Sequence, residues 1–163
     1  MQKQFCQRRH LARIPVWLPV DAPVVYFVTV CCARRRPVFA SRPTVRIAVE
    51  CLQGIQRRLQ WQVHKICLMP DHVHLLLSPL ETREQSVSPI IQGWKSCVTI
   101  RLRQSVAGPI WQREFFDRLL RTDEKMEEKW EYIRENPVRA GLCQAPEDYP
   151  YSGTPEGIFE RLK

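Results

Sequence analysis

Two of the four histidines in the chain are separated by a single residue. His72 and His74 flank Val73 within an apolar run that is typical of a β-strand. Because residues two apart on a strand project from the same face, both imidazoles can reach one point in space. Two imidazoles that converge in this way are typical metal ligands. The alternative is a pair of histidines on a solvent-facing strand.

A second pair of candidate residues lies near the end of a predicted helix. Tyr132 and Asn136 are four residues apart, which places them on one helical face about one turn apart. The amide oxygen of Asn136 would supply a third metal ligand, and the phenol of Tyr132 would supply a nucleophile beside the metal. The alternatives are a packed helix aromatic and a residue that closes a helix before Pro137.

A tyrosine nucleophile needs assistance, because a phenol with a pKa of about 10 attacks poorly at neutral pH. A divalent cation polarises the phosphoryl oxygens and holds the phosphorus in line for attack. Coordination by substrate oxygens favours Mg²⁺ or Mn²⁺, although two histidines also accept Zn²⁺ or Co²⁺. The product on DNA would be a phosphotyrosine. It conserves the energy of the phosphodiester, so strands could be rejoined without ATP.

The positive charge of the chain is concentrated at its N-terminal end. The chain has 25 lysines and arginines and 17 acidic residues. Nine of the basic residues and a single acid, Asp21, lie in residues 1–46, and the remainder is neutral. This asymmetry indicates a polyanionic partner, most simply nucleic acid, rather than an anionic membrane or a merely soluble surface. The candidate phosphate contacts are Arg8, Arg9, Arg34, Arg35 and Arg36.

Length and composition exclude several other classes of protein. A chain of 163 residues with 44% hydrophobic residues supports one folded domain and is short for two. Its longest apolar run, residues 24–33, is half of the roughly 20 residues that span a membrane, and no signal peptide is recognisable. Seven cysteines without a C-x-x-C pair predict free thiols in a reducing cytoplasm rather than a disulfide framework or a zinc ribbon.

The candidate residues must be positioned by a mixed α and β fold. The periodicity of apolar residues predicts strands at 24–32, 61–68, 72–77 and 110–120, and helices at 44–60, 86–104 and 123–136. The order β-α-β-β-α-β is that of the ferredoxin-like split βαβ plan, an α+β fold with helices on one face of an antiparallel sheet. Here an extra C-terminal helix would carry Tyr132. We expect one domain over 1–163, with a basic irregular arm at 1–23 and a proline-rich tail at 143–163.

Three blocks of sequence, in order, resemble a family of DNA-processing proteins. The run MPDHVHLLL at 69–77 is similar to the HUH motif of the IS200-type single-strand DNA transposases. The runs WQREFFDR at 111–118 and YIRENPVRAGL at 132–142 are more similar to the REP-associated tyrosine transposases, a subgroup of that family. The resemblance extends from residue 24 to about residue 142, and the three blocks together are more specific than any one of them.

The resemblance implies a one-tyrosine HUH nuclease and strand transferase that acts on single-stranded DNA at hairpin-forming REP sequences. By this resemblance, His72 and His74 bind Mg²⁺ or Mn²⁺, and Tyr132 becomes linked to the 5′ phosphate and leaves a free 3′-OH. Asn136 stands where IS200-type transposases usually have Gln, and its shorter amide reaches less far. In the family a C-terminal tail can cover the active site, and whether residues 143–163 do so here is left open by the sequence. The expected location is the bacterial cytoplasm, at the nucleoid.

Five further residues are candidates for supporting roles. Asp71 and Asp117 would orient a histidine or a metal-bound water, although Asp71 is equally a turn residue. Lys95 is a candidate DNA contact if it points toward the active-site face of the sheet. Trp17 and Trp94 are candidate platforms for exposed bases, with core packing as the alternative for both and the preferred one for Trp94.

Two other functions remain open at this point. One is a non-catalytic nucleic-acid-binding protein of ferredoxin-like fold, such as a decayed transposase that only binds hairpins. The other is a metal-dependent phosphodiesterase that uses water as the nucleophile, with Tyr132 merely structural. Tyr149 and Tyr151 are rival nucleophiles only in principle, because they lack a helical ligand partner. The resemblance to the REP-associated group favours a monomer, whereas IS200-type transposases tend to form dimers, and nothing in the sequence itself decides the oligomeric state.

Overall fold

A computed structural model describes residues 23–82, 85–120 and 125–163. Its elements are the strands β1 (Tyr26–Cys31), β2 (Trp61–Met69), β3 (His72–Pro79), β4 (Phe116–Leu119) and β5 (Ser152–Gly153) and the helices α1 (Arg42–Arg58), α2 (Ser88–Leu102), α3 (Met126–Arg134), α4 (Asn136–Arg139) and α5 (Pro155–Arg161). Short 3₁₀ turns lie at Ala33–Arg35 and Pro146–Asp148. No helix in these ranges is long and apolar enough to cross a membrane.

The strands form one sheet in the order β4-β1-β3-β2-β5, and every neighbouring pair is antiparallel. The order of the first four strands is that of the split βαβ plan, so the predicted fold class is confirmed. Strand β5 was not predicted. It has two residues and extends the sheet at the edge of β2.

The two faces of the sheet pack against different helices. On one face, alternate residues of β1 and β3, such as Val28 and Val73, enter a large core with α1, α2 and α5. On the other face, Phe27 and Leu76 enter a smaller core with Ile133 of α3. Because side chains alternate along a strand, this packing places the histidines of β3 on the α3 face.

Some element boundaries differ from those predicted. Helix α3 begins at Met126 rather than at residue 123, after an extended Lys125. Residues 121–124, which precede this helix, lie outside the described residues. Strand β4 is short because the chain before it is irregular, and Trp111 makes only an isolated bridge to Cys32.

The helical region was predicted to end before Pro137, but it continues past this residue. Pro137 lies in the first turn of α4, where a helix tolerates the missing N–H. Gly141 follows the end of α4, with φ of 69° in the left-handed region that glycine adopts most easily.

The C-terminal segment 143–163 is folded against the rest of the domain. The Tyr149 hydroxyl donates a hydrogen bond to the Leu68 carbonyl at 2.6 Å, and the Leu68 N–H donates to the Tyr151 carbonyl at 2.9 Å. Ile158 of helix α5 and Leu162, which directly follows the helix, are buried in the large core. Since that core lies on the face opposite to the histidines, α5 does not cover them.

The expectation of free thiols is wrong for one pair of cysteines. Cys51 of α1 and Cys97 of α2 form a disulfide between two helices that pack against each other. They are 46 residues apart in the chain, so no short spacing marks them. The free cysteines among the described residues are Cys31, Cys32, Cys67 and Cys143.

Replacing Tyr149 by phenylalanine tests how firmly this segment is attached. We expect the free energy of unfolding to fall by about 1–2 kcal/mol, because the buried Leu68 carbonyl loses a hydrogen-bond donor. Urea denaturation followed by circular dichroism measures the change. Tyr151→Phe is the matched control, since Tyr151 contacts Leu68 through its backbone carbonyl. Equal losses in the two variants would contradict the assignment.

Candidate active site

The two histidines of β3 lie side by side, and the Nδ1 atom of each contacts a neighbouring side chain. Their ring centroids are 4.8 Å apart with ring planes at 82°. His72 Nδ1 is 2.6 Å from the Asp71 carboxylate, and His74 Nδ1 is 2.9 Å from the Thr29 hydroxyl. Such contacts fix the orientation of an imidazole and leave Nε2 as the nitrogen that can face a ligand.

His74 is a neutral imidazole at physiological pH. Burial is the main cause that lowers the pKa of His74 to about 3. Electrostatic interactions with His72, Lys129 and Arg35 lower the pKa in the same direction. A neutral imidazole is the form that binds a metal ion, because its lone pair is available. The environment therefore keeps His74 in the ligand form.

Arg35 holds the Asp71–His72 pair in place. Its Nε lies 2.8 Å from Asp71 Oδ2, and its Nη1 lies 3.1 Å from Cys31 Sγ. Arg34 and Arg35 have φ of 54° and 55°, a left-handed backbone that costs on the order of 1 kcal/mol per residue. The 3₁₀ turn after β1 thus presents Arg35 to the carboxylate that orients His72.

Tyr132 is exposed on α3 and is connected to the histidines by cations and aromatic rings. Its side chain is 55% exposed. Lys129 Nζ lies 4.9 Å from the Tyr132 ring centre and 4.4 Å from that of Phe27, which in turn stacks on His74 at 5.6 Å. The guanidinium of Arg139 lies 4.7 Å from the Tyr132 ring centre. The phenol is therefore accessible, beside two positive charges and on the histidine face.

The two rival tyrosines differ from Tyr132 in their surroundings. Tyr149 is buried, its hydroxyl is engaged by Leu68, and burial raises its pKa. Tyr151 is half-buried and packs against the Tyr149 ring at 5.6 Å. Only Tyr132 of these three presents an exposed ring.

Asn136 lies close to Tyr132 in the chain but belongs to a different helix, because Glu135 separates α3 from α4. Its Nδ2 donates a hydrogen bond to the Ile133 carbonyl at 2.8 Å, so Oδ1 is the atom that could coordinate a metal ion. Within the described residues, no hydrogen bond joins Asn136 to either histidine. Among the same residues, no group of three or more His, Cys, Asp or Glu side chains is close enough together to hold a metal ion.

Two candidate DNA contacts support the fold instead. Lys95 Nζ donates to the carbonyls of Gln112 and Arg113 at 2.7 and 3.0 Å, which attaches α2 to the segment before β4. Arg36 Nη1 donates to the Ala107 and Pro109 carbonyls. Lys95 therefore lies on the α2 side of the sheet and does not point toward the histidine face, which was the condition for its candidate role as a DNA contact.

The remaining candidates are placed by register and burial. Asp117 pairs with Val28, whose side chain is in the large core, so it lies on the face away from the histidines, contrary to the expectation. Trp94 is fully buried and donates to the Ala48 carbonyl, so it is a core residue and not a base platform. Arg34 is exposed. The candidates Arg8, Arg9 and Trp17 lie outside the described residues.

Several residues at the site were not identified from the sequence. Lys129 is three positions before Tyr132, so the helical spacing that selected Asn136 would also have selected it. Thr29 is a polar residue between the buried Val28 and Val30, a pattern that indicates a polar contact on the opposite face. Phe27 and Arg139 carry no such signal, because their contacts depend on how α3 and α4 pack against the sheet.

The sequence of the chain is similar to those of known proteins. The chain matches the family model of IS200-like transposases over residues 23–136. A Haemophilus influenzae protein assigned as a REP-associated tyrosine transposase is 34% identical over 98 residues, covering 53% of this chain and 55% of that protein. The chain thus spans about half the length of this relative. An uncharacterized protein of the same organism is 22% identical over 143 residues, covering 69% of this chain and 79% of its own length.

Two solved structures share the fold. One is a REP-associated tyrosine transposase bound to a REP hairpin, with a TM-score of 0.67, 22% identity, and coverage of 80% of this chain and 76% of that one. The other is a Deinococcus radiodurans protein described as a transposase, with a TM-score of 0.53, 18% identity, and coverage of 71% and 91%. The family model spans His72, His74, Tyr132 and Asn136. As the three sequence blocks predicted, the chain belongs to the IS200-like transposase family.

Proposed function

We propose that this transposase cleaves and rejoins single-stranded DNA through a covalent bond to Tyr132. The observation that carries the proposal is the exposed phenol of Tyr132, with Lys129 and Arg139 beside it, on the same face as the oriented histidine pair. The hairpin bound by a structural neighbour supports a REP-type hairpin with single-stranded flanks as the substrate.

The reaction exchanges one phosphoester bond for another. The Tyr132 Oη attacks the phosphorus, the Oη–P bond forms, and the bond from phosphorus to the 3′ oxygen breaks. The phenol proton passes to solvent, and the departing 3′ oxygen takes a proton from water. The product is a 5′-phosphotyrosine and a free 3′-OH, and attack by a 3′-OH on this intermediate rejoins the strand.

The cations beside Tyr132 have a defined role in this scheme. Lys129 and Arg139 bring positive charge to the place where a phosphate must sit to be attacked. Such charges stabilise the negative charge that builds up on the phosphoryl oxygens in the transition state. Lys129 also lies over Phe27, which places its charge between the tyrosine and the histidine pair.

His72 and His74 would hold a divalent metal, Mg²⁺ or Mn²⁺. Their fit to a metal rests on the two Nδ1 contacts, which leave both Nε2 atoms available, and on the neutral state of His74. Asn136 Oδ1 is the candidate for a third ligand. When bound, the metal would withdraw electron density from the phosphoryl oxygens and hold the scissile phosphate for attack.

The phosphate contacts would come from a smaller set of arginines than the sequence suggested. Arg36 is hydrogen-bonded to a loop, and Arg35 is paired with Asp71. The exposed Arg34 and the basic N-terminal arm with Arg8 and Arg9 remain as contacts for hairpin phosphates. A protein with this activity would work on the chromosome, at the bacterial nucleoid.

Tyr132→Phe tests the nucleophile. With a labelled single-stranded REP-type hairpin and Mn²⁺ or Mg²⁺, we expect wild type to give a protein-linked DNA band on a denaturing gel. The variant should give no linked band and a cleavage rate lower by at least about 1,000-fold, while hairpin binding is kept. Tyr151→Phe is the matched control and should retain the band.

The denaturing gel, together with a native gel of the same samples, separates the competing functions. Cleavage by Tyr132→Phe without a linked band would favour a phosphodiesterase that uses water. A clear gel shift by wild type without cleavage would leave a hairpin-binding protein. Either result contradicts the tyrosine mechanism.

Removal of divalent ions tests the metal. We expect a chelator to abolish cleavage, and Mn²⁺ or Mg²⁺ to restore it in wild type but not in a His72→Ala/His74→Ala variant. Hairpin affinity in the chelator should be similar for both proteins, because phosphate contacts dominate binding. Cleavage at an undiminished rate in the chelator would contradict the proposal.

Lys129→Met tests the charge beside the tyrosine. We expect the single-turnover cleavage rate to fall on the order of 10- to 100-fold, because a charge next to the scissile phosphate is lost. Lys129→Arg should recover much of the rate, since it keeps the charge. Lys163→Met removes the same charge near α5, on the opposite face, and should leave the rate within about twofold of wild type. Equal rates for the two methionine variants would show that Lys129 has no part in the reaction.

A further inference from the structure

Helix α3 covers only part of the sheet face that carries the histidines. It packs mainly against β2 and β3 and reaches β1 through Lys129, which lies over Phe27, and β4 is the edge strand beyond β1. In the register of β1 with β4, Thr29 pairs with Phe116 and Phe27 pairs with Arg118. Because paired residues in an antiparallel sheet project from the same face, Phe116 and Arg118 lie on the histidine face.

Phe116 is exposed at the end of a row of rings that leads to the histidines. Its ring meets that of Phe27 at 6.3 Å with planes at 65°, and Phe27 stacks on His74 at 5.6 Å. Phe116 is 55% exposed. Among the described residues, Phe116 and Tyr132 are the exposed aromatic side chains, and both lie on this face. The exposed ring of Phe116 is therefore available to a ligand beside the candidate active site.

Positive charge flanks this row of rings. The Arg118 guanidinium lies 5.9 Å from the Phe27 ring centre, and Lys129 Nζ lies 4.4 Å from it. A single exposed ring among cations does not suit an apolar protein partner, which would need a wider patch. It suits a single-stranded nucleic acid, whose bases stack on aromatic rings while its phosphates contact basic side chains.

We propose that Phe116 is a stacking platform for one unpaired nucleobase of the DNA strand that flanks the hairpin. Bases within the hairpin stem are already stacked in the duplex, so the base that reaches Phe116 must come from a single-stranded segment. The ring row then holds that nucleotide close to the histidines and Tyr132. The inference rests on the proposed function for the identity of the strand, but it concerns binding and not the chemical step.

Binding measurements on hairpins that carry single abasic sites test the platform. Fluorescence anisotropy in a chelator gives Kd for a REP-type hairpin with single-stranded flanks, for the bare hairpin, and for a series in which each flanking base in turn is replaced by an abasic site. We expect Phe116→Ala to bind the flanked hairpin about 5- to 150-fold more weakly than wild type and the bare hairpin equally well. Phe116→Trp should keep the affinity. Ile100→Ala, an exposed apolar residue of α2, is the matched control and should bind as wild type does.

The abasic series identifies a stacking contact by its coupling to the side chain. In wild type, one abasic position should weaken binding as much as Phe116→Ala does, and the same abasic site should add no further loss in that variant. Additive losses, or an equal loss on the bare hairpin, would overturn the platform. Because no cleavage is measured, a wild type that binds but never cleaves would contradict the proposed reaction and leave the platform standing.

Discussion

The candidate site depends on the register of β3 between its two neighbours. The side chains of a strand alternate between faces, so a slip of one residue would bury the histidines and expose Val73. The large core prevents this slip, because Val73, Leu75 and Leu77 fill it on the α1 and α2 side. The pairing of His74 with Thr29 of β1 then brings the hydroxyl to Nδ1. Packing of apolar residues on one face thus orients the imidazoles on the other.

The electrostatics of the site depend on how far each side chain is buried. His74 is buried and stays neutral, whereas His72 is paired with a carboxylate that Arg35 also contacts. Tyr132 remains at the surface with Lys129 and Arg139 beside it. The positive charges of Lys129 and Arg139 beside an exposed phenol suit the approach of a negatively charged phosphate.

The C-terminal segment contributes to the site indirectly, by supporting α3. Arg134 near the end of α3 forms an ion pair with Glu147, and Tyr149 is attached to the Leu68 carbonyl of β2. Ile133 and Tyr149 share the small core beneath the helix. The helix that carries Tyr132 is therefore supported both by the sheet and by residues that follow it in the chain.

The sequence by itself determined whatever depends on local periodicity. The alternation around Val73 and the order of the elements were enough to predict the fold class and the histidine pair, whereas the family was predicted from the resemblance of three sequence blocks. Properties that depend on pairing between distant segments were decided only by the tertiary structure. Asp117 faces away from the histidines because of the register of β4 against β1. Lys95 donates hydrogen bonds to carbonyls in the segment before β4.

The same reason explains the disulfide between Cys51 and Cys97 and the row of rings from Phe116 to His74. Each joins residues that are far apart in the chain and that no local pattern connects. Helix and strand periods are set by the backbone within a few residues. Contacts between elements are set by the packing of the whole core, and only the folded structure specifies them.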